Sequence, residues 1–171
     1  MKNYSELTRE ERIKKVMDLR RSDLCLVLEN LVEDQNISAI LRTAEAFGAG
    51  QVCIIRDGKK HQLSKGVSSG ASKWLNIKHY KSTKPCFTAL KKQGYKLIGA
   101  LVDPKSKVLW EKKYTGKIAV VVGNEPHGLS ETAQKGVDEN IYLPMYGLTE
   151  SLNVSVAAGI FLYEVIRQKE N

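Results

Sequence analysis

Hydrophobic and polar positions fall into blocks along this 171-residue chain, and their period switches between that of a helix and that of a strand. The first block, Thr8 to Arg21, is helical: Ile13, Val16 and Met17 share one face, and Thr8 with Glu11 spells a capping box. LCLVLE (Leu24–Glu29) is a short apolar run that reads as a strand. NISAILRTAEAFGAG then predicts a helix that Gly48 or Gly50 terminates. QVCII (51–55) and KWLNIKHY (73–80) read as the next two strands, separated by a segment that ends in the Gly/Ser-rich GVSSGAS. Ser82 to Lys92 predicts a helix with Pro85 in its first turn and Gly94 past its end. KLIGALV (96–102) and KIAVVVG (117–123) are strongly apolar strands, and a short helix begins near Ser130. NIYLP (140–144) is a last strand, and Asn153 to Gln168 a long final helix.

Strands that are apolar throughout suit a sheet buried on both faces, and the helices between them supply the cover. The fold class is therefore α/β, a mostly parallel sheet with helices on both faces. The length suits one domain with a sizeable core. In such sheets ligands bind at the carboxyl ends of the strands. Three segments leave strand ends here with conspicuous polar residues: ENLVEDQNISAILRTAEAFG, VVGNEPHGLS and YLPMYGLTESLNVSVA. If the strands ending at Glu29, Gly123 and Leu143 are neighbours, these loops converge. In the third, Thr149, Glu150, Ser151 and Asn153 gather at the mouth of an otherwise apolar helix. A cap accounts for one of them; the rest point to something bound.

Charge narrows the partner. The formal net charge is +8, which favours a polyanion, with nucleic acid ahead of a membrane because no strongly apolar amphipathic stretch accompanies the charge. The first helix carries Arg9, Arg12, Lys14, Lys15, Arg20 and Arg21 on its polar side, either a solvated face or a clamp on phosphates. Cys25, Cys53 and Cys86 are odd in number, widely spaced and outside any CxxC pattern, as expected of buried reduced thiols in a cytoplasmic protein. No signal-peptide apolar region opens the chain, and no run approaches membrane-spanning length. The sequence lacks GxGxxG after the first strand and lacks GxxxxGK[ST] altogether, which removes the main support for dinucleotide and P-loop sites. No His/Cys/carboxylate pattern suits a metal, and His127 is a lone loop histidine.

Asn36 with Arg42, then Gly123-x-Glu125-x-x-Gly128-Leu129, then Leu143-Pro144-Met145 leading to Ser151-Leu152-Asn153-Val154-Ser155, stand in the order and spacing of three known motifs. They are those of the SPOUT-superfamily RNA ribose 2′-O-methyltransferases, and from about Glu10 to Gln168 the chain resembles the TrmH branch. The resemblance implies one SPOUT domain over residues 1–171, with 1–22 as a basic N-terminal helical extension and a C-terminal part tied in a deep trefoil knot. It implies S-adenosylmethionine as cofactor, held chiefly by backbone groups at Ala100, Gly123, Leu143 and Leu152. It also implies a homodimer whose active site is shared across the interface, with no metal. Arg42 is implied as the essential catalytic residue, assisted by Asn36, Glu125, Ser151 and Asn153. Asn36, six residues earlier, falls on roughly the opposite side of an ideal helix, and is expected to cap it from the loop. Whether Arg42 is a general base or a clamp on phosphate and ribose stays open; a guanidinium holds its proton far above neutral pH. The basic helix before LCLVLEN is similar to that of the group methylating guanosine 18 in the D-loop of tRNA, which makes Arg9, Arg12, Arg20 and Arg21 candidate RNA contacts. The alternatives are a tRNA wobble nucleotide, an rRNA site, or a non-catalytic RNA-binding module; a nucleotide-dependent α/β enzyme rests on fold class alone.

Overall fold

The computed structural model describes residues 6–56 and 71–170. In chain order it contains α1 (Arg9–Asp18), β1 (Arg21–Glu29), α2 (Asp34–Ala46), β2 (Ala49–Ile55), a 3-10 turn (Ala71–Trp74), β3 (Ile77–Tyr80) and α3 (Thr83–Lys92). There follow β4 (Tyr95–Ala100), β5 (Lys107–Val108), β6 (Lys117–Val122), α4 (Glu131–Gly136), β7 (Glu139–Tyr142) and α5 (Val154–Glu170). The seven strands form one sheet in the order β3-β2-β1-β6-β4-β7-β5, and every adjacent pair is parallel.

Alternation along each strand divides the core into two layers. Leu24, Leu26 and Leu28 of β1 and Val120 and Val122 of β6 face α2 and α5, which contribute Ile37, Ile40, Leu41, Phe161 and Leu162. Cys25 and Val27, with Ala119 and Val121, face the opposite way, under Cys86, Phe87 and Leu90 of α3 and Ala133 of α4. Both faces of the central strands are dry, hence their unbroken apolar runs. All three cysteines are free thiols in the second layer. The Cys25 sulfur lies 3.9 Å from that of Cys53, and this contact together with burial pushes the Cys25 thiol up, away from ionisation.

Several boundaries differ from the sequence expectation. The first helix forms its capping box at Thr8 and Glu11 but stops at Asp18 rather than Arg21. Arg20 and Arg21 therefore do not share a helix face with Arg9 and Arg12. Arg20 turns inward, donating to the Glu45 carbonyl (2.9 Å), the Glu45 carboxylate (2.9 Å) and the Trp74 carbonyl (3.2 Å), and its side chain is only 11% exposed. Arg21 opens β1 and pairs with Asp23 and Glu170. The second helix ends at Ala46, and Gly48, at φ 69°, takes the left-handed step that side chains resist. Gly50 belongs instead to β2, where an added Cβ would sit 2.4 Å from the Arg21 carbonyl oxygen. Of KWLNIKHY only Ile77–Tyr80 is a strand, because Ala71–Trp74 coils into the 3-10 turn; residues 66–70 of GVSSGAS lie outside the described residues. The two-residue β5 had no signal in the pattern.

Arg20 is a structural cation, and its removal strands the Glu45 carboxylate. Arg20→Ala is expected to cost about 2 kcal/mol in urea unfolding; a loss below about 0.5 kcal/mol would assign it the weight of a surface ion pair.

Candidate active site

The carboxyl ends of β1, β6, β4 and β7 meet at one edge of the sheet, and a cavity of about 450 Å³ opens there. Strands β1 and β6 are neighbours, as convergence of the loops requires, but β4 separates β6 from β7. The third loop therefore passes over the end of β4, which places Ala100 in the wall. The lining includes the four expected cofactor positions, Ala100, Gly123, Leu143 and Leu152, and also Asn36, Glu125, Ser151 and Asn153. Val122, Ile141 and Phe161 supply apolar surface beneath.

A chain of hydrogen bonds joins the three loops. Glu125 accepts from the backbone amides of Val32 (3.1 Å) and Glu33 (3.2 Å) and from the Asn36 side chain (3.0 Å). The Asn36 oxygen in turn accepts from the Asn153 side-chain amide at 3.0 Å. Asn153 turns its own oxygen to the Ser155 backbone amide (2.8 Å) and hydroxyl (2.6 Å), capping α5. Asn36 does not cap α2 from the loop as expected: the helix begins at Asp34, so Asn36 sits inside the first turn. The N-cap position of α2, Glu33, makes no side-chain cap bond, and the Glu125 carboxylate from another loop accepts its open amide. Burial pushes the Glu125 carboxyl up, but the bonds from Asn36 and the Val32 and Glu33 amides outweigh it and hold the group below its ordinary value.

The turn that aims Glu125 is tightly built. Asn124 and Gly128 exchange backbone hydrogen bonds of 2.9 and 2.8 Å, with Gly128 at φ 65°. A Cβ on Gly123 would lie 2.2 Å from the Gly128 carbonyl carbon, so only glycine permits the turn to close. The Asn124 side chain reaches the Asn30 carbonyl at 2.8 Å and also accepts from the His127 amide, while the exposed His127 ring stands outside the cavity lining.

Glu29 and Asn124 escaped the sequence reading. Glu29, 1% exposed at the end of β1, accepts from the Thr83 hydroxyl and from the Ser130 amide (2.9 Å) and hydroxyl (2.7 Å). It thereby pins the starts of α3 and α4 and the far end of the Glu125 turn. A carboxylate closing an otherwise apolar strand was the available signal.

Arg42 stands apart. It lies on the exposed side of α2, outside the cavity lining, and makes no hydrogen bond or ion pair among the described residues. Arg9 and Arg12 line a shallow hollow of about 410 Å³ with Trp74 and Glu45. Thr149 is exposed and does not line the cavity, whereas Glu150 does. Among the described residues no three His, Cys, Asp or Glu side chains are grouped to hold a metal ion, and no helix is long and apolar enough to cross a membrane.

Two substitutions test this geometry. Gly123→Ala is expected to open the turn and lower affinity for an adenine-bearing cofactor at least about tenfold in calorimetric titration, since backbone cannot yield to the new methyl. Glu125→Gln presents a donor to amides that need an acceptor and is expected to cost about 1–2 kcal/mol in urea unfolding at neutral pH. Because the folded Glu125 carboxyl titrates below its unfolded value, its contribution is full above the ordinary glutamate range and is lost as pH falls through the lowered value. The native protein should thus lose stability on acidification below about pH 4.5 more steeply than Glu125→Gln.

Comparison with known proteins agrees with this arrangement. The profile of the SpoU rRNA Methylase family matches residues 23–163. The chain is 37% identical over 158 residues to the tRNA (guanosine(18)-2′-O)-methyltransferase of Borreliella burgdorferi, covering 92% of this chain and 72% of that one. The crystal structure of the Aquifex aeolicus TrmH/SpoU tRNA modifying enzyme superposes with a TM-score of 0.84 at 34% identity, over 94% of this chain and 84% of that chain. The SpoU methyltransferase AviRb from Streptomyces viridochromogenes, solved in complex with AdoMet, superposes with a TM-score of 0.73 at 25% identity, over 88% of this chain and 62% of that chain. Its sequence motifs, parallel sheet and three-loop cavity accord with that match: this chain belongs to the SpoU rRNA methylase family.

Proposed function

We propose that the protein transfers a methyl group from S-adenosylmethionine to the ribose 2′-hydroxyl of guanosine 18 in tRNA, acting as a homodimer in the cytoplasm. The observation that carries this reading is the cavity in which all three motif loops are hydrogen-bonded together. The residues fit the cofactor. The volume of about 450 Å³ lies in the range of small-molecule pockets. Apolar side chains at Val122, Ile141, Leu143 and Phe161 suit an adenine, and backbone groups at Ala100 and Gly123 stand ready for its edge.

When bound, S-adenosylmethionine supplies an electrophilic sulfonium methyl whose departing thioether is neutral and needs no acid. The protein's task is then alignment and disposal of one hydroxyl proton. Glu125, Asn36 and Asn153 hold the loops in register, and Ser151 beside them offers a hydroxyl to the substrate ribose. Arg42 grips the target nucleotide's phosphate and polarises its ribose, while the proton passes to a phosphate oxygen or water, since guanidinium is a poor base.

Arg42 reaches the chemistry in the dimer, where it enters the partner's cavity. Its exposed position on α2, without an ion pair among the described residues, supports this, as does the neighbouring face of α5, where Val156 and Tyr163 are exposed apolar surface. Arg9 and Arg12 serve as RNA contacts; Arg20 and Arg21 are held by ion pairs within the subunit. We further infer that the segment from β6 to α5 forms the deep trefoil knot within a single domain; the strand order β6-β4-β7 and the third loop lying over β4 support it.

Incubation with unmodified tRNA and labelled S-adenosylmethionine, followed by mapping, should place the methyl group on guanosine 18. Methylation of a wobble nucleotide or of rRNA alone would replace the substrate. Arg42→Ala should lower kcat about 100-fold or more with cofactor affinity nearly unchanged. Mixing Arg42→Ala with Gly123→Ala subunits should restore activity, because one composite site in each mixed dimer is intact; no recovery would locate Arg42 at its own subunit's site.

A further inference from the structure

The positive charge of this protein is segregated. Between Asp57 and Asp103 the chain carries ten lysines and no acidic residue, so this stretch alone exceeds the net charge of +8 and the remainder is slightly negative. Three of those lysines, Lys59, Lys60 and Lys65, lie outside the described residues. Of the seven described, Lys91 pairs with Asp138 and Lys96 with Glu139, whereas Lys73, Lys78, Lys81, Lys84 and Lys92 have no ion pair among the described residues.

Their placement follows α3. Lys84, Thr88, Lys91 and Lys92 share its exposed side at helical spacing, and Lys81 precedes its start. A ten-residue helix makes this strip about 15 Å long. Lys84 sits in the first turn, where the helix dipole disfavours a cation and no acidic residue of that turn offsets it. Beside the strip, a groove of about 560 Å³ runs between α3 and α4, with Phe87 and Gly136 closely apposed and Thr88, Thr132 and the Lys135–Glu131 ion pair along its lining. One end of the strip is anchored at the cavity edge of the sheet, because Thr83 at the start of α3 bonds to Glu29. The strip itself covers the layer opposite α2 and α5.

We propose that the α3 strip and the α3–α4 groove form a second RNA-binding surface, which holds the ribose-phosphate backbone of the tRNA away from the methylated nucleotide. This rests on the tRNA methyltransferase reading above. Lysines without an ion pair among the described residues, hydroxyl donors beside them and a helix start tied to the reactive edge through Thr83 and Glu29 are what a backbone contact requires, and none of them reads sequence. The α2–α5 face is then left for the second subunit, while α3 carries substrate on the outside of the dimer.

The test compares two triple variants of the full chain that remove equal charge. K81Q/K84Q/K92Q alters the strip; K105Q/K107Q/K113Q removes three exposed lysines elsewhere. Thermal melts establish that both fold, and titration with S-adenosylmethionine reads the cofactor site separately. The strip variant should bind unmodified tRNA about tenfold or more weakly at 0.15 M salt, with the slope of log affinity against log salt reduced by about two to three. Its KM for tRNA should rise while kcat at saturating tRNA and cofactor affinity hold. Equal losses in both variants, or none in the strip variant, would overturn the surface. Native protein that binds S-adenosylmethionine but methylates no tRNA would overturn the reading beneath it instead.

Discussion

The start of α2 is a helix terminus that does not cap itself, and the active-site architecture depends on how that deficiency is met. The first amides of a helix lack intrahelical partners and carry its positive end. Here the Glu33 side chain gives no cap, and a carboxylate from a loop 92 residues away accepts the Glu33 amide instead. By also binding the Val32 amide and the Asn36 side chain, Glu125 makes a local requirement of one helix into a tertiary clamp. Asn36 passes the constraint to Asn153, and Asn153 to the first turn of α5. Three segments remote in sequence are thus held by a single line of polar contacts, whose two ends, Glu125 and Asn153, also accept from backbone amides.

The clamp works because its supports cannot shift. Gly123 admits no side chain without a collision with the Gly128 backbone, and Glu29 fastens the other end of the same turn through Ser130. Glu29 is nearly inaccessible, so its hydrogen bonds compete with no water and hold the ends of β1, α3 and α4 together. Both faces of the sheet are covered by apolar layers, and the main cavity opens at its carboxyl edge. Preorganisation of that edge suits a reaction that needs alignment more than acid–base chemistry.

The two layers covering the sheet also differ outwardly. The α2–α5 side presents Arg42 with exposed Val156 and Tyr163, a surface suited to a second subunit. The α3 side presents Lys84 and Lys92, which have no ion pair among the described residues, beside the paired Lys91, a surface suited to phosphates. The net charge of +8 is concentrated in the stretch between Asp57 and Asp103 rather than spread evenly along the chain.

Periodicity was enough to read β1, β6, α3 and the α/β class, since burial on both faces leaves the central strands as short unbroken apolar runs and one-sided burial gives α3 its helical period. The motif residues were legible too, and Asn36, Glu125, Ser151, Asn153, Ala100, Gly123, Leu143 and Leu152 all line one cavity. Arg20 and Arg21 were misplaced, because charge marks a residue as polar without saying whether its partner is solvent or Glu45. The roles of Glu29 and Asn124 had no periodic signature at all, for each is defined by groups dozens of residues distant. By itself the sequence determined most of the strands and helices, though not β5 or the end of α1, and which side chains can do chemistry, because these follow from local period and residue type. Tertiary structure alone decided the strand order that seats β4 between β6 and β7, the cap that Glu125 lends to α2 and the isolation of Arg42 from its own cavity, because each depends on where the folded chain brings distant groups together.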